Sequence, residues 1–292
     1  MDLSAALQFV FSGITIGAFY AFVALGVSFV FSSSGIVNFA QGQFVMLGGM
    51  VAATLAANAH WPVPVAMLCG VVAAAAGGAV MARLFVLPML RAGEFPLILV
   101  TLGVGVLIEA LAVVFWGTDP QMLDSLLNIT PLRVMGATLS SDSISILCVL
   151  TVTLVAFTQF LRRTRWGRAM RATAIDRDVA ASLGINVRAV IVLSFTMAAA
   201  FGGLAGALLT PIISTGAQSG FQMTLKAITA AVLGGVASPI GAVAGGLLLG
   251  MIEAMSSGYV SSTYQNVIAS VVLIVLLLLR PQGLFTALTR QA

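Results

Sequence analysis

The sequence predicts an all-α, polytopic membrane protein of about eight to nine transmembrane helices, with one basic cytoplasmic loop between two of them. Three observations predict it. Of 292 residues, 60% are hydrophobic and 8% charged, with a mean hydropathy of +1.12, whereas about a quarter of a soluble domain's residues are charged. Apolar stretches near the length of a bilayer span, about 20 residues each, recur along the whole chain. Seven of the thirteen basic residues lie between Arg162 and Arg188. A soluble fold would need a very large core with almost no charged shell, and the composition excludes it.

Hydropathy places spans at Ala5–Phe31, Ile36–Ala57, Pro62–Pro88, Pro96–Trp116, Ser143–Leu161, Ala189–Thr210, Met223–Val236, Ile240–Ser257 and Ser262–Leu279. The first is expected to remain as a span. Met1-Asp2-Leu3 lacks the basic region of a cleavable signal, and the apolar stretch is too long for a signal core. Met223–Val236 is short for a crossing. It reads as a half-helix, as a tilted span packed in protein, or as part of a longer helix interrupted at Ser238-Pro239. The whole of residues 1–292 reads as a single transmembrane domain with a loop at about 162–188.

Basic residues set the expected orientation. With the N-terminus outside and nine crossings, the cytoplasm receives Arg83, Arg91, the seven arginines of the loop, Arg280 and Arg290, which are eleven of the thirteen. Arg133 and Lys226 fall on or near the outer side, and the outer segment from Gly117 to Asp142 carries three aspartates. Trp61, Trp116, Tyr259 and Tyr264 then sit at the outer boundary as an aromatic belt. The formal charge of +4 follows from this topology and implies no nucleic-acid partner. Glycines inside the spans, including Gly48-Gly49, Gly202-Gly203, Gly206 and Gly245-Gly246, predict close helix packing. Gly35–Gly42 and Gly234–Gly241, where glycine meets polar residues or proline, mark candidate helix breaks.

No catalytic constellation is visible. His60 is the single histidine, Cys69 and Cys148 lie in apolar segments, and nothing supplies the three or four ligands of a metal site. There is no phosphate-binding Gly-rich loop, and Lys226 is the only lysine. Any ATP that drives this protein is therefore expected on another polypeptide. Polar groups at membrane depth are the leads, because they are expensive in hydrocarbon. Asn38, Gln41 and Gln43 follow the Ser32-Ser33-Ser34-Gly35 break. Asn38 and Gln41 share a face at helical spacing. They read either as a neutral lining for a polar zwitterion or amide, or as an interhelical hydrogen-bond cluster. Glu109 reads as an interior acid or a snorkelling one. Lys226 and Glu253 are expected at similar depth, as a structural ion pair near the outer mouth.

The basic loop carries the most specific signal. Asp176 and Asp178 are placed to cap or begin a short helix. Val179-Ala180-Ala181-Ser182-Leu183 is compact and apolar, and Gly184 suits a left-handed stop. A short smooth helix ringed by arginines is expected, parallel to the membrane. Lipid-headgroup contact accounts for the arginines but not for the capped small-residue helix.

Asp178 to Gly184 resembles the Glu-Ala-Ala-x-x-x-Gly loop of ATP-binding-cassette importer permeases, with Asp for Glu and Val for Ala. Around it, Gly167-Arg168-Ala169-Met170-Arg171-Ala172 and Leu183-Gly184-Ile185 resemble the high-affinity branched-chain amino acid permease family, in particular its LivH-type subunit. Gly35–Gly42, Gly234–Ala242 and Leu279–Phe285 resemble it too, so the likeness runs from about residue 8 to residue 286. The resemblance implies a non-catalytic permease subunit of the cell inner membrane, with its loop and C-terminus cytoplasmic. It implies four partners: a second permease subunit similar to this one, two cytoplasmic ATPases that bind ATP and Mg, and a periplasmic substrate-binding protein. No cofactor is expected on this chain. Asp178, Val179, Ala180, Ala181, Ser182, Leu183 and Gly184 would form the ATPase coupling element. Branched-chain or other hydrophobic amino acids are the first expectation for the cargo. The family often has an acidic residue where Gln43 stands and frequently His where Gln41 stands, so urea, short amides and aromatic carboxylates stay open. The rival class is an ion-coupled secondary transporter, which would need paired membrane-embedded acids.

Overall fold

A computed structural model describes residues 3–126, 130–134, 136–280 and 283–285. Arg290 and the Pro281-Gln282 part of the C-terminal motif lie outside the described residues. The order is α1 (Leu3–Ser34), α2 (Gln41–Ala59), α3 (Val63–Met81), a π turn (Ala82–Val86), α4 (Leu87–Met89) and α5 (Glu94–Trp116). A two-stranded antiparallel hairpin follows, β1 (Leu132–Val134) and β2 (Ala137–Leu139), with Leu132 opposite Leu139. Then come α6 (Ser141–Arg163), α7 (Arg165–Ile175), α8 (Arg177–Ser182), α9 (Val187–Leu209), α10 (Ser219–Gly234), α11 (Pro239–Tyr259) and α12 (Gln265–Leu279). The hairpin and an isolated antiparallel bridge between Gln121 and Thr215 are the β pairings among the described residues.

Seven of the described helices are long and apolar enough to cross a membrane; α3, the π turn and α4 count as one, Val63–Met89. The π turn ends two residues before Pro88, which has no N–H to donate and whose ring crowds the carbonyl four residues back. At 16 and 15 residues, α10 and α12 are shorter than a full crossing, about 24 and 22 Å against a hydrocarbon core of about 30 Å. The structure chooses among the readings of the short segment. Gly235 takes φ 109° and Ser238 caps α11 by accepting from the Gly241 N–H, so the chain reverses there. α11 folds back on α10, with Gly234 against Gly241 and Gly245 against the Ala230 carbonyl. One helix interrupted at Ser238-Pro239 is therefore ruled out.

α1 lies at the centre. Every residue from Phe19 to Val30 is buried, and a helix that is apolar all round belongs inside a bundle. It runs antiparallel to α11 through Gly13, Gly17, Gly246 and Gly250, whose missing side chains let the backbones touch. α2 runs parallel to α9, with Gly48 against Gly203 and Gly206 against the Val45 carbonyl, and α3 runs antiparallel to both. On α5, α6 and α12 large apolar side chains such as Val114, Val152 and Leu278 face outward, as lipid-facing side chains do.

Candidate translocation and coupling elements

The span predicted to begin at Ile36 begins as a helix only at Gln41. Gly35 takes φ 58° and its N–H closes α1 on the Phe31 carbonyl at 2.6 Å. The stretch from Ile36 to Ala40 is irregular backbone inside the bundle, held by side chains. Asn38 is fully buried; its Oδ1 accepts from the Ala40 N–H at 3.0 Å. The Phe39 N–H donates to Thr101 Oγ1 and the Gly42 N–H to Thr224 Oγ1. These bonds satisfy backbone groups that have no water to turn to.

Two of the three amides come together, and the third faces other helices. Asn38 Nδ2 donates to Gln41 Oε1 at 3.3 Å, and Gln41 Nε2 donates to the Ala198 carbonyl of α9 at 2.8 Å. Asn38 precedes the helix, so a turn joins it to Gln41, not a shared helical face. Both are occupied by bonds within the fold. Gln43 differs. Its Nε2 donates to Glu109 Oε2 on α5 at 3.1 Å, while its Oε1 is buried without a partner against Gly220 of α10. Gln43 and Glu109 are thus the pair with hydrogen-bonding capacity left over.

Lys226 and Glu253 form an ion pair. The Tyr20 hydroxyl donates to Glu253 Oε2 at 2.8 Å, and Lys226 Nζ also donates to Asn266 Oδ1 at 2.6 Å. Lys226 lies 5.8 Å from the Tyr20 ring centroid. The cluster ties α10, α11, α12 and α1 together. It meets α1 near its midpoint, α10 and α11 within about two turns of their ends and α12 in its first turn. Tyr20 and Asn266 are additions that the sequence reading missed. A signal for Tyr20 existed: of three tyrosines it alone is mid-span, and a buried phenol needs a hydrogen-bond partner.

The basic loop folds into α7 and α8. Thr164 Oγ1 caps α7 through the Gly167 N–H, and Asp176 Oδ1 caps α8 through the N–H groups of Asp178 and Val179 at 2.8 and 3.0 Å. Asp176 is the cap; Asp178 stands exposed in the first turn. Gly184 takes φ 82° as the C-terminal stop, with the Ile185 N–H reaching the Ala180 carbonyl at 3.1 Å. Ala180 packs inward at 1% exposure. Val179, Ala181, Ser182, Leu183 and Gly184 are exposed. Ile175, at the end of α7, and Val179 and Leu183, one turn apart on α8 and its C-terminal cap, are apolar side chains that no described residue covers, 87%, 55% and 75% exposed.

Residues 9–279 match the family described as branched-chain amino acid transport system / permease component. The chain belongs to this family. It is therefore a permease component, an integral helical membrane protein and not an enzyme. The permease is 34% identical to the high-affinity branched-chain amino acid transport system permease protein LivH of Escherichia coli, over 95% of this chain and 94% of that protein. It is 27% identical to the permease protein LivM of the same system in Escherichia coli, over 92% of this chain and 68% of LivM. In fold, the permease is similar to a chain of the solved structure PsaBC from Streptococcus pneumoniae in complex with Fab. The TM-score is 0.51 at 11% identity, covering 98% of this chain and 96% of that one.

Proposed function

We propose that this permease is one transmembrane half of an ATP-binding-cassette importer for branched-chain or other hydrophobic amino acids. It works with a second, similar permease subunit, two cytoplasmic ATPases that carry ATP and Mg, and a periplasmic substrate-binding protein. The observation that carries the reading is α8: six residues capped at both ends, presenting Val179, Ala181, Leu183 and Gly184 outward beside the uncovered Ile175. Small side chains and exposed apolar ones suit the groove of another protein, and the arginines around them suit the cytoplasmic side. The paired directions of α1, α2, α9 and α11 agree with an N-terminus outside and α8 in the cytoplasm. Asn38 and Gln41 hold the pathway wall, and Gln43 with Glu109 offers the polar contact a zwitterion meets on its way. Lys226 neutralises Glu253, which takes that acid away from ion coupling and weighs against a secondary transporter.

Detergent extraction of the tagged chain tests the class. Two ATPases and a second permease are expected to co-purify in equal numbers. A lone, stable chain that takes up leucine on a sodium or proton gradient alone would sink the proposal. Calorimetry on the partner binding protein is expected to show leucine, isoleucine and valine bound more tightly than urea, acetamide or benzoate.

A further inference from the structure

α8 touches the membrane-spanning helices at few places. Ala180 packs inward, and the first residue, Arg177, reaches elsewhere, to the break between α1 and α2. A Cβ built on Gly35 would lie 3.2 Å from Arg177 Nη2, so the guanidinium sits against the left-handed residue that ends α1. That helix end is the negative pole of a 32-residue dipole. Glu94, the first residue of α5, adds a second negative neighbour. Burial lowers the basicity of Arg177, and the fields of Glu94 and Asp178 oppose that effect. Arg162, Arg163, Arg165, Arg168, Arg171 and Arg188 are exposed, whereas Arg177 is half-buried. The positive-inside rule explains the six, and it gives no reason for the seventh to turn inward.

We propose that Arg177 is a positioning residue that links α8 to the α1–α2 break, carrying movement of α8 to Asn38 and the first turn of α2. This rests on the importer reading, in which an ATPase moves α8. Arginine suits the task because its guanidinium stays charged and its planar fork of five donors holds several acceptors in a fixed geometry. Three residues after Gly35 comes Asn38, and three further on α2 begins, so a shift at Gly35 has a short irregular path to the amide cluster.

The test uses the assembled importer with its binding protein in vesicles, reading ATP hydrolysis and leucine uptake together. Arg177→Ala is expected to assemble, to hydrolyse ATP near the wild-type rate, and to import about tenfold less leucine per ATP. Arg177→Lys, which keeps the charge without the fork, is expected to fall between. Unchanged leucine per ATP in an intact Arg177→Ala complex overturns the role of Arg177 and leaves the importer reading standing. Parallel loss of assembly, hydrolysis and uptake assigns Arg177 to folding and overturns it too. A wild-type chain that purifies without ATPases overturns both readings at once.

Discussion

Glu253 shows how one residue is made tolerable inside this protein. Its carboxylate is 4% exposed, yet it meets Lys226 on one oxygen and the Tyr20 hydroxyl on the other. Removing one member of a buried ion pair leaves an uncompensated charge, which is worse than having no pair. Glu253→Leu or Lys226→Met alone is expected to destabilise the chain by about 3–5 kcal/mol, and the double variant to recover much of that loss. Thermal unfolding in detergent checks it; equal and additive losses would show that the two charges do not compensate each other. The pairing was legible from the sequence because span ends put both residues at similar depth. Tyr20, eighteen places into a long apolar helix, signalled that it needs a partner but not which one. Gln43 and Glu109 were both legible as candidates, but their contact was not, since α2 and α5 are far apart in the chain.

Helix α8 is the element whose local chemistry and role are most closely bound. Gly184 has no atom near a built Cβ, and its φ of 82° is its one constraint. A side chain there strains the backbone by about 1–2 kcal/mol. Gly184→Ala therefore measures strain alone, while Gly184→Trp adds bulk on the face proposed for the ATPase. Uptake is expected to survive the first and vanish in the second, and Ala181→Arg is expected to abolish it as well, all three inserting normally. Normal uptake by Gly184→Trp and Ala181→Arg would remove the docking role. The sequence named this helix well, since capping and a glycine stop are local chemistry. It placed the cap on Asp176 or Asp178 without choosing, because either carboxylate reaches the first-turn N–H groups. The chain's bend at Asp176, with extended φ and ψ of −156° and 121°, decides it.

For the molecule as a whole, the alternation of helices predicts which segments each side of the membrane can reach. With Cys69 and Cys148 replaced by alanine, a cysteine at Asp119 is expected to react with an impermeant maleimide from outside. One at Arg168 is expected to react only after the membrane is opened. Equal labelling of both sites in sealed cells would overturn the orientation. The structure also shows why so many glycines are present. Gly17 with Gly250 and Gly48 with Gly203 bring backbones to contact distances that any side chain would prevent, and in lipid such close packing replaces the hydrophobic driving force between helices.

Hydropathy, charge bias and capping are sums over neighbouring residues. By itself, then, the sequence determined that the chain spans a membrane, where its apolar segments lie, that Arg162–Arg188 is a basic loop carrying a short capped helix, and which family it belongs to. The tertiary structure decided what depends on how distant helices rotate and slide against one another. It set the late start of α2, the reversal between α10 and α11, the contact of Gln43 with Glu109, and the reach of Arg177 to Gly35. These follow from close approach at glycines scattered along the chain, and a span reads the same by hydropathy whichever face it turns inward.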